Sequence, residues 1–236
     1  MKKVFAFLFC FSLIVCTTVC AQNDSFLTKE EVPTGAVFLP LPPTPTEPSF
    51  ENDRLRYEWG KTMRDTERGR QAVADAEYTL DYFAEIYSEP FGVTISEKNT
   101  PELYALLKRL LATTSVCNKK SKSRLMRTRP FVQFNEPTPV PKDEAILKNN
   151  SSYPSGHTTK GWAIALVLAA INPARQDAIL KRGYEYGESR VIVGYHYQSD
   201  VDAARLITSA LINRLHANDD FVQQLQKAKK EFLSKK

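Results

Sequence analysis

The chain has 236 residues, of which 42% are hydrophobic and 25% are charged, with 9 glycines and 14 prolines. These proportions are those of an ordinary globular protein, and they exclude a collagen, a wholly disordered chain and a multi-span membrane protein. The formal charge of +5 comes from 32 basic and 27 acidic residues. Because that balance is only mildly basic, it does not indicate a nucleic-acid-binding protein.

The first 21 residues have the layout of a secretory signal peptide. Lys2 and Lys3 give a positive start, residues 4–15 are apolar apart from Ser12, and small residues lead to Ala21. The apolar stretch is too short for a comfortable membrane-spanning helix. We therefore expect cleavage after Ala21 and a periplasmic or secreted protein.

The cysteines bear on both lipid attachment and disulfides. Lipid attachment at Cys16 or Cys20 is the weaker alternative to simple cleavage, because a valine rather than a small residue precedes each. Of the four cysteines only Cys117 follows the expected cleavage site, so the processed chain can form no internal disulfide. No Cys-His signature surrounds Cys117, and we expect it to be a small buried residue.

Residues 22–50 are rich in proline and are expected to form an extended arm or a disordered leader. Beyond them, apolar residues at three- and four-residue spacings predict helices, and alternating strand patterns are scarce. The sequence therefore predicts one all-α domain over residues 51–236, a multi-helix bundle. The predicted helices cover 67–87, a segment opened by Pro101 with Thr100 as its cap, 158–171 as the central core helix, a segment starting at Asn172-Pro173, 201–215 and 220–233.

Three clusters of polar residues carry the candidate chemistry. The first concentrates basic residues from Lys122 to Arg129 just before Pro130, although a basic run is usually a solvated face. The second, Ser155-Gly156-His157, comes directly before the predicted core helix. Since helix N-termini present unpaired amides, it is a candidate anion site, although Ser and Gly commonly just begin helices.

The third cluster begins with Ser189-Arg190 and continues to His196 and Asp200. Residues four apart on a helix share a face, so we expect His196 and Asp200 to form a hydrogen bond. An ordinary surface His–Asp pair is an equally good interpretation of that segment alone. His216, the remaining histidine, lies near a predicted helix end, and we expect it to have a structural role.

Together the clusters match, in order and spacing, the signature Lys-x6-Arg-Pro, Pro-Ser-Gly-His and Ser-Arg-x5-His-x3-Asp. The chain therefore resembles the type-2 phosphatidic acid phosphatase superfamily, which includes vanadium haloperoxidases. More narrowly, it resembles the bacterial class A non-specific acid phosphatases. Further matching stretches, such as residues 161–168 and 198–202, extend the likeness from about residue 39 to residue 230. The resemblance implies an all-α fold of the acid phosphatase and haloperoxidase type.

The resemblance also implies a mechanism for hydrolysing organic phosphate monoesters. His196 would be the nucleophile that forms a phosphohistidine, Asp200 would orient it, and His157 would be the general acid and base. That scheme needs a neutral His196 and a protonated His157, which favours an acidic to mildly acidic optimum. It implies no metal and no cofactor, with inorganic phosphate as product and vanadate as inhibitor. The phosphate-binding residues would be Lys122, Arg129, Ser155, Gly156 and Arg190.

One departure from the family is visible. Its members often carry a disulfide from a cysteine shortly after the Arg-Pro segment to one just before the second motif histidine. Here those places hold residues of the Pro137–Pro141 stretch and Val193. The resemblance thus implies loops held by packing rather than by a covalent link.

Several alternatives stay open at this point. A vanadium-dependent haloperoxidase would use the same pocket for vanadate, although the near-full-length likeness to acid phosphatases disfavours it. A lipid phosphatase of the superfamily would usually need several membrane spans. A non-catalytic secreted phosphate-binding protein would need the anion site but neither His157 nor the His196–Asp200 pair. Homo-oligomers are common in the family, and nothing in the sequence counts subunits.

Overall fold

The structure, a computed structural model, describes residues 24–235, and the predicted signal peptide lies outside them. The described residues form ten α-helices and no strand, which confirms the predicted all-α class. Short 3-10 turns cover Pro141–Asp143 and Pro173–Arg175. The helices are α1 Phe50–Met63, α2 Glu67–Ala74, α3 Leu80–Phe91, α4 Pro101–Lys122, α5 Pro130–Gln133, α6 Glu144–Leu147, α7 Gly156–Ile171, α8 Gln176–Ile192, α9 Gln198–Leu215 and α10 Asp219–Leu233.

Helix α7 is the centre of the bundle, as predicted for this apolar segment. It packs against α3, α4, α8, α9 and α10, and a helix that is apolar on every side is stable only when it is enclosed in this way. The approach of α8 is close, because a Cβ added to Gly183 would lie 2.5 Å from the Cβ of Ala165. The second cluster therefore lies at the N-terminus of a helix that is held firmly in the core.

The helix predicted over residues 67–87 is wrong in one respect, because it breaks into α2 and α3. The buried Asp75 ends α2: its carboxylate accepts hydrogen bonds from Arg182 Nη2 at 2.5 Å and Ser189 Oγ at 2.6 Å. Thr79 then starts α3, and its Oγ1 accepts a 3.4 Å hydrogen bond from the backbone amide three residues on. Helical spacing does not reveal the break, since Arg182 and Ser189 lie on the distant α8.

The start of α4 at Pro101 agrees with the prediction, but its cap does not. The side chain of Thr100 bonds to the preceding loop instead of to the helix. The amides of Glu102 and Leu103 donate to the carboxylate of Glu231 on α10, at 3.2 and 3.0 Å. A carboxylate from the last helix therefore satisfies the free amides of α4.

The segment before α1 lies against the bundle. Phe26, Leu27 and Val32 are buried and belong to the same hydrophobic cluster as α7. Further along, the backbone oxygen of Pro40 accepts a hydrogen bond from the hydroxyl of Tyr153, at the second cluster. None of the helices in residues 24–235 has the length and apolarity needed to cross a bilayer.

Candidate active site

The three clusters meet at one cleft of about 430 Å³. Lys122 reaches it from the end of α4 and Arg129 from the residue before α5. Gly156 and His157 come from the first turn of α7, and His196 from the loop before α9. The other predicted site residues, Ser155, Arg190 and Asp200, are fully buried and are not part of the cleft lining.

His196 is only 2% exposed and lies between a cation and a carboxylate. Its Nε2 lies 3.2 Å from Arg129 Nη1, and its Nδ1 lies 3.4 Å from Asp200 Oδ2. Because a guanidinium can only donate, Nε2 must accept and Nδ1 must carry the proton. The side chain therefore presents a lone pair at Nε2 and aims its N–H at Asp200.

The expectation that His196 and Asp200 share one helix is wrong. His196 lies two residues before α9, whereas Asp200 belongs to its first turn. The backbone turns at Tyr197, whose amide donates a 2.9 Å hydrogen bond to Asp200 Oδ2. The carboxylate thus both stabilises the start of α9 and lies beside the imidazole, although 3.4 Å is long for a hydrogen bond.

Burial and charge keep His196 neutral and Asp200 ionised. Burial, followed by the charge of Arg129, lowers the pKa of His196 to about 3, so the imidazole is neutral. Burial alone would raise the pKa of Asp200, but its contacts with His196 and with the charge of Arg127 lower it to about 2. A neutral histidine next to an ionised carboxylate is the arrangement of an oriented nucleophile or base.

Arg127 and Asp53 are site residues that the sequence did not single out as functional. Arg127 Nη1 donates to Asp200 Oδ1 at 2.5 Å, and its Nη2 donates to Asp53 Oδ2 at 2.7 Å. Asp53, from α1, also accepts from the backbone amide and the hydroxyl of Ser199, at 2.8 and 2.5 Å. The basic cluster contained Arg127, but no signal along the chain links it to a carboxylate 74 residues away.

Lys122 and Arg129 bring positive charge to the cleft and are held by neighbouring backbone. Lys122 Nζ donates to the oxygen of Ser151 at 2.6 Å, and Arg129 donates to the oxygens of Tyr195 and Leu147 at 3.0 and 2.9 Å. Burial and the charge of Arg129 lower the pKa of Lys122 to about 7, and burial lowers the pKa of Arg129 to about 10. A bound anion would relieve both effects.

Arg190 is fully buried and only partly satisfied. Its Nη2 donates to the oxygen of Ala72 at 2.9 Å, whereas Nε and Nη1 have no hydrogen-bond partner among the described residues. Burial lowers its pKa from the ordinary value. Unpaired buried guanidinium donors are costly, so Nε and Nη1 of Arg190 are candidate donors to an anion.

Ser155 and Gly156 form the N-terminus of α7. The hydroxyl of Ser155 accepts a 3.4 Å hydrogen bond from the amide of Thr158, and its own amide donates to the backbone oxygen of Asp200 at 3.1 Å. A Cβ at position 156 would lie 2.3 Å from Asn118 Nδ2, so a larger residue there requires the side chain of Asn118 to move. The amide of Ser155 thus connects the start of α7 to the backbone of Asp200, the residue whose carboxylate faces His196.

His157 is half-buried between two aromatic rings. Its ring centroid lies 5.0 Å from that of Tyr78 and 6.4 Å from that of Tyr186. Nε2 lies 3.1 Å from the oxygen of Ala76, which can only accept, so Nε2 carries a proton and Nδ1 is the nitrogen free to act. Burial and then the charge of Arg190 lower the pKa of His157 well below its usual range.

His216 and Cys117 lie outside the cleft lining. His216 ends α9 and packs against the ring of Phe221 at 5.5 Å. Cys117 is buried, and burial raises the pKa of its thiol to about 11, so it stays a protonated core residue as expected. Within residues 24–235 no group of three or more His, Cys, Asp or Glu side chains is placed to hold a metal ion.

Comparison with known proteins identifies the class. The family model of the PAP2 superfamily matches residues 104–220, which include every residue predicted for the site from the three clusters. The non-specific acid phosphatase of Providencia stuartii is 45% identical over 98% of both chains. That of Salmonella typhimurium is 39% identical over 94% of this chain and 90% of its own. The acid phosphatase of Zymomonas mobilis is 34% identical over 83% of this chain and 74% of its own.

These likenesses extend over the helices and the cleft alike. The chain belongs to the PAP2 superfamily and, within it, to the family of non-specific acid phosphatases. Its enzyme class is therefore that of a phosphoric monoester hydrolase.

Proposed function

We propose that this acid phosphatase is exported and hydrolyses a broad range of organic phosphate monoesters, without a metal ion, through a phosphohistidine on His196. The observation that carries the proposal is the state of His196. Its Nε2 holds a lone pair 3.2 Å from Arg129, and its Nδ1 lies 3.4 Å from the ionised Asp200. That geometry is typical of a nucleophilic histidine. A histidine that only bound the ligand would not need a lone pair held in one direction.

In the first step the hydrogen bond from Arg129 to His196 Nε2 is broken, the Nε2 lone pair attacks phosphorus, and the bond from phosphorus to the ester oxygen breaks. His157 donates the proton at Nδ1 to the departing oxygen, so the alcohol leaves neutral. The developing positive charge on His196 is stabilised by Asp200. The phosphoryl oxygens carry negative charge in the transition state, and positive or hydrogen-bonding groups of the protein stabilise it. Those groups are Lys122, Arg129, Arg190, the Ser155 hydroxyl and the Gly156 amide.

In the second step a water molecule attacks phosphorus of the phosphohistidine. The neutral His157 takes a proton from that water, the bond from phosphorus to Nε2 breaks, and phosphate leaves. Both histidines return to their starting protonation states. The same residue acts as acid and then as base, as microscopic reversibility requires.

The proton on His157 depends on the substrate. In the structure its pKa lies well below the usual range because of burial and the charge of Arg190. A bound phosphate brings negative charge beside both groups and offsets that of Arg190, which raises the pKa of His157. His157 is therefore protonated when the ester is bound, as a general acid must be.

Metal independence is proposed because side chains supply the positive charge that phosphoryl transfer requires. The test uses p-nitrophenyl phosphate across pH 4–9, with and without EDTA. We expect EDTA-resistant hydrolysis with an acidic to neutral optimum and inhibition by vanadate. Loss of activity in EDTA would refute metal independence, and a folded enzyme without hydrolysis would favour a haloperoxidase or a phosphate-binding protein.

The role of His196 is tested by replacement. His196→Ala is expected to abolish turnover while the circular dichroism spectrum stays unchanged, because no other neutral imidazole lies beside Asp200. His216→Ala is the matched control, since this histidine lies outside the cleft, and it should retain activity. Wild-type turnover in folded His196→Ala would refute the assignment.

Export is proposed from residues 1–21, with the proline-rich segment 22–50 as an arm on a catalytic domain of residues 51–236. Expression of the full chain in a Gram-negative host, followed by N-terminal sequencing of the periplasmic enzyme, should give a sequence starting at Gln22. An enzyme that starts at Met1 in the cytoplasm would contradict export. A start at Cys16 or Cys20 with a bound lipid would establish the lipoprotein alternative.

A further inference from the structure

The cleft contains a cation that the proposed mechanism does not use. Lys160 lies on α7 three residues after His157, so the two side chains project from one face of the helix. Both line the cleft, and the side chain of Lys160 is half-buried. Any group that departs from phosphorus on the side of His157 comes close to this lysine.

The ring of Tyr78 contacts both His157 and Lys160. Its ring lies edge to face with His157, at 5.0 Å between centroids and an angle of 76°. The Nζ of Lys160 lies 4.3 Å from the centroid of the same ring, within the range of a cation–π contact. The ring is 51% exposed. It therefore holds the ammonium group beside the general acid at an open part of the cleft.

Lys160 differs from the other cations of the cleft in its lack of an acceptor. Lys122 and Arg129 donate to backbone oxygens at 2.6 and 3.0 Å. Within residues 24–235 the side chain of Lys160 has no carboxylate within 4.0 Å and donates no hydrogen bond, and its Nζ instead faces the ring of Tyr78. Burial lowers its pKa from the ordinary value, because the ammonium loses part of its hydration.

The remaining charges of the cleft are arranged in two places. Lys122 and Arg129 surround His196, where the phosphoryl group is transferred. Asp143 is the single carboxylate among the described lining residues, and it accepts a hydrogen bond from the hydroxyl of Tyr195 at 3.3 Å. Positive charge therefore remains available at Lys160, on the side of the leaving group.

We propose that Lys160, held by Tyr78, forms a leaving-group subsite that favours phosphate monoesters whose leaving group carries a second negative charge, either a carboxylate or another phosphate. This subsite rests on the proposed function, because it is His157 that locates the leaving group. The ammonium forms an ion pair with the second charge while the cations around His196 hold the transferred phosphoryl group. The enzyme then accepts many esters but does not treat neutral and anionic leaving groups alike.

The test compares two substrates in the full enzyme and in Lys160→Met, which keeps the length of the side chain and removes its charge. The substrates are phenyl phosphate and 4-carboxyphenyl phosphate, and the readout is the ratio of their kcat/KM values. We expect the ratio of anionic to neutral ester to fall by about tenfold in the variant, the size of a charge-assisted contact. A ratio rather than a rate is used because any general damage to the cleft cancels.

The matched control is Lys181→Met. Lys181 is 77% exposed on α8 and pairs with Glu185 at 3.7 Å, so its removal should leave the ratio unchanged. Tyr78→Leu should lower the ratio because the ammonium loses its support, whereas Tyr78→Phe keeps the ring and should preserve it. If both tyrosine variants behave alike, the ring does not hold the lysine.

A second pair distinguishes the source of the charge. A sugar monophosphate is compared with the corresponding bisphosphate, so that a phosphate replaces the carboxylate. A fall in the ratio for either pair in Lys160→Met supports the subsite, and the pair that responds identifies the anion. If neither ratio changes while phenyl phosphate is hydrolysed, the subsite is refuted and the proposed function stands. If the wild-type enzyme hydrolyses none of these esters, the proposed function fails first.

Discussion

Replacing Arg127 with methionine should destabilise the folded enzyme strongly. The guanidinium lies between two buried carboxylates, with contacts of 2.5 Å to Asp200 and 2.7 Å to Asp53. All three side chains are at most 8% exposed. Removing one member of a buried ion cluster leaves uncompensated charge, which typically costs about 3–5 kcal/mol. We expect a loss of that size in the free energy of unfolding at pH 7.

The ionised state of Asp200, which its contacts with His196 and Arg127 favour, predicts how the loss depends on pH. The pKa of Asp200 is lowered from 3.8 to about 2, which corresponds to about 2 kcal/mol of stability. Because the folded pKa is the lower one, this contribution is complete above pH 3.8 and is lost as the pH falls through 2. Without Arg127 the carboxylate is easier to protonate, so the difference between wild type and variant should shrink on acidification.

The assay is urea denaturation of both proteins, followed by circular dichroism at pH 7 and at several lower values. Arg54→Met is the matched control, because Arg54 forms a 2.6 Å pair with Glu51 that is about half exposed. A pair this open to solvent contributes little to stability, because water and salt screen it. If Arg127→Met lost no more than this control, the reasoning about the buried cluster would be refuted.

Asp53→Asn provides a second measurement in case Arg127→Met does not fold. Its single amide oxygen can still accept from the amide of Ser199, but the oxygen that accepts from the Ser199 hydroxyl and from Arg127 is replaced by an NH2 group, so the variant loses both the charge and that acceptor. The loss should be smaller, about 1–3 kcal/mol for a charged hydrogen bond. An unchanged free energy of unfolding in this variant would equally contradict the account.

Asp200→Asn should lower kcat more than it raises KM, since the carboxylate orients His196 and does not line the cleft. Steady-state kinetics measure both constants, and a change in KM alone would argue against that role. In phosphate-free buffer the free energy of unfolding should decrease as the pH is lowered from 6.5, by up to about 1.4 kcal/mol per pH unit for each histidine. The reason is that His157 and His196 take up a proton in the unfolded state, whereas their lowered pKa values prevent this in the folded state. Denaturation as a function of pH checks this, and a flat profile would contradict the buried neutral imidazoles. Glu231→Ala should cost about 1 kcal/mol by exposing the free amides of α4, and an unchanged melting temperature would show that water replaces the carboxylate there.

The sequence predicted the helical class and most helix starts because these follow from local patterns. The apolar run of α7 and the proline at the start of α4 determine the structure only within a few residues of their own positions. The break between α2 and α3 was missed because its cause is a contact with α8, and the cap of α4 was missed because it comes from α10. Contacts between distant segments leave no periodic signal.

The site was predicted unevenly for the same reason. Motif spacing identified His157, His196, Lys122 and Arg129, since the signature carries them together, but it did not identify Lys160, which lines the same cleft. It could not reveal that Arg127 connects Asp53 to Asp200, because charged residues with no motif look like solvated surface. The protonation states also needed the structure, since burial decides that both cleft histidines are neutral without a ligand.

The most direct test of the account is to trap the covalent intermediate. The enzyme is mixed with a ³²P-labelled phosphate monoester, quenched in alkali within milliseconds to preserve a phosphoryl–nitrogen bond, digested and analysed by mass spectrometry. The account predicts label and one added phosphoryl group on the peptide that contains His196, with none in His196→Ala. Label on His157, or full turnover with no labelled peptide at any quench time, would contradict it.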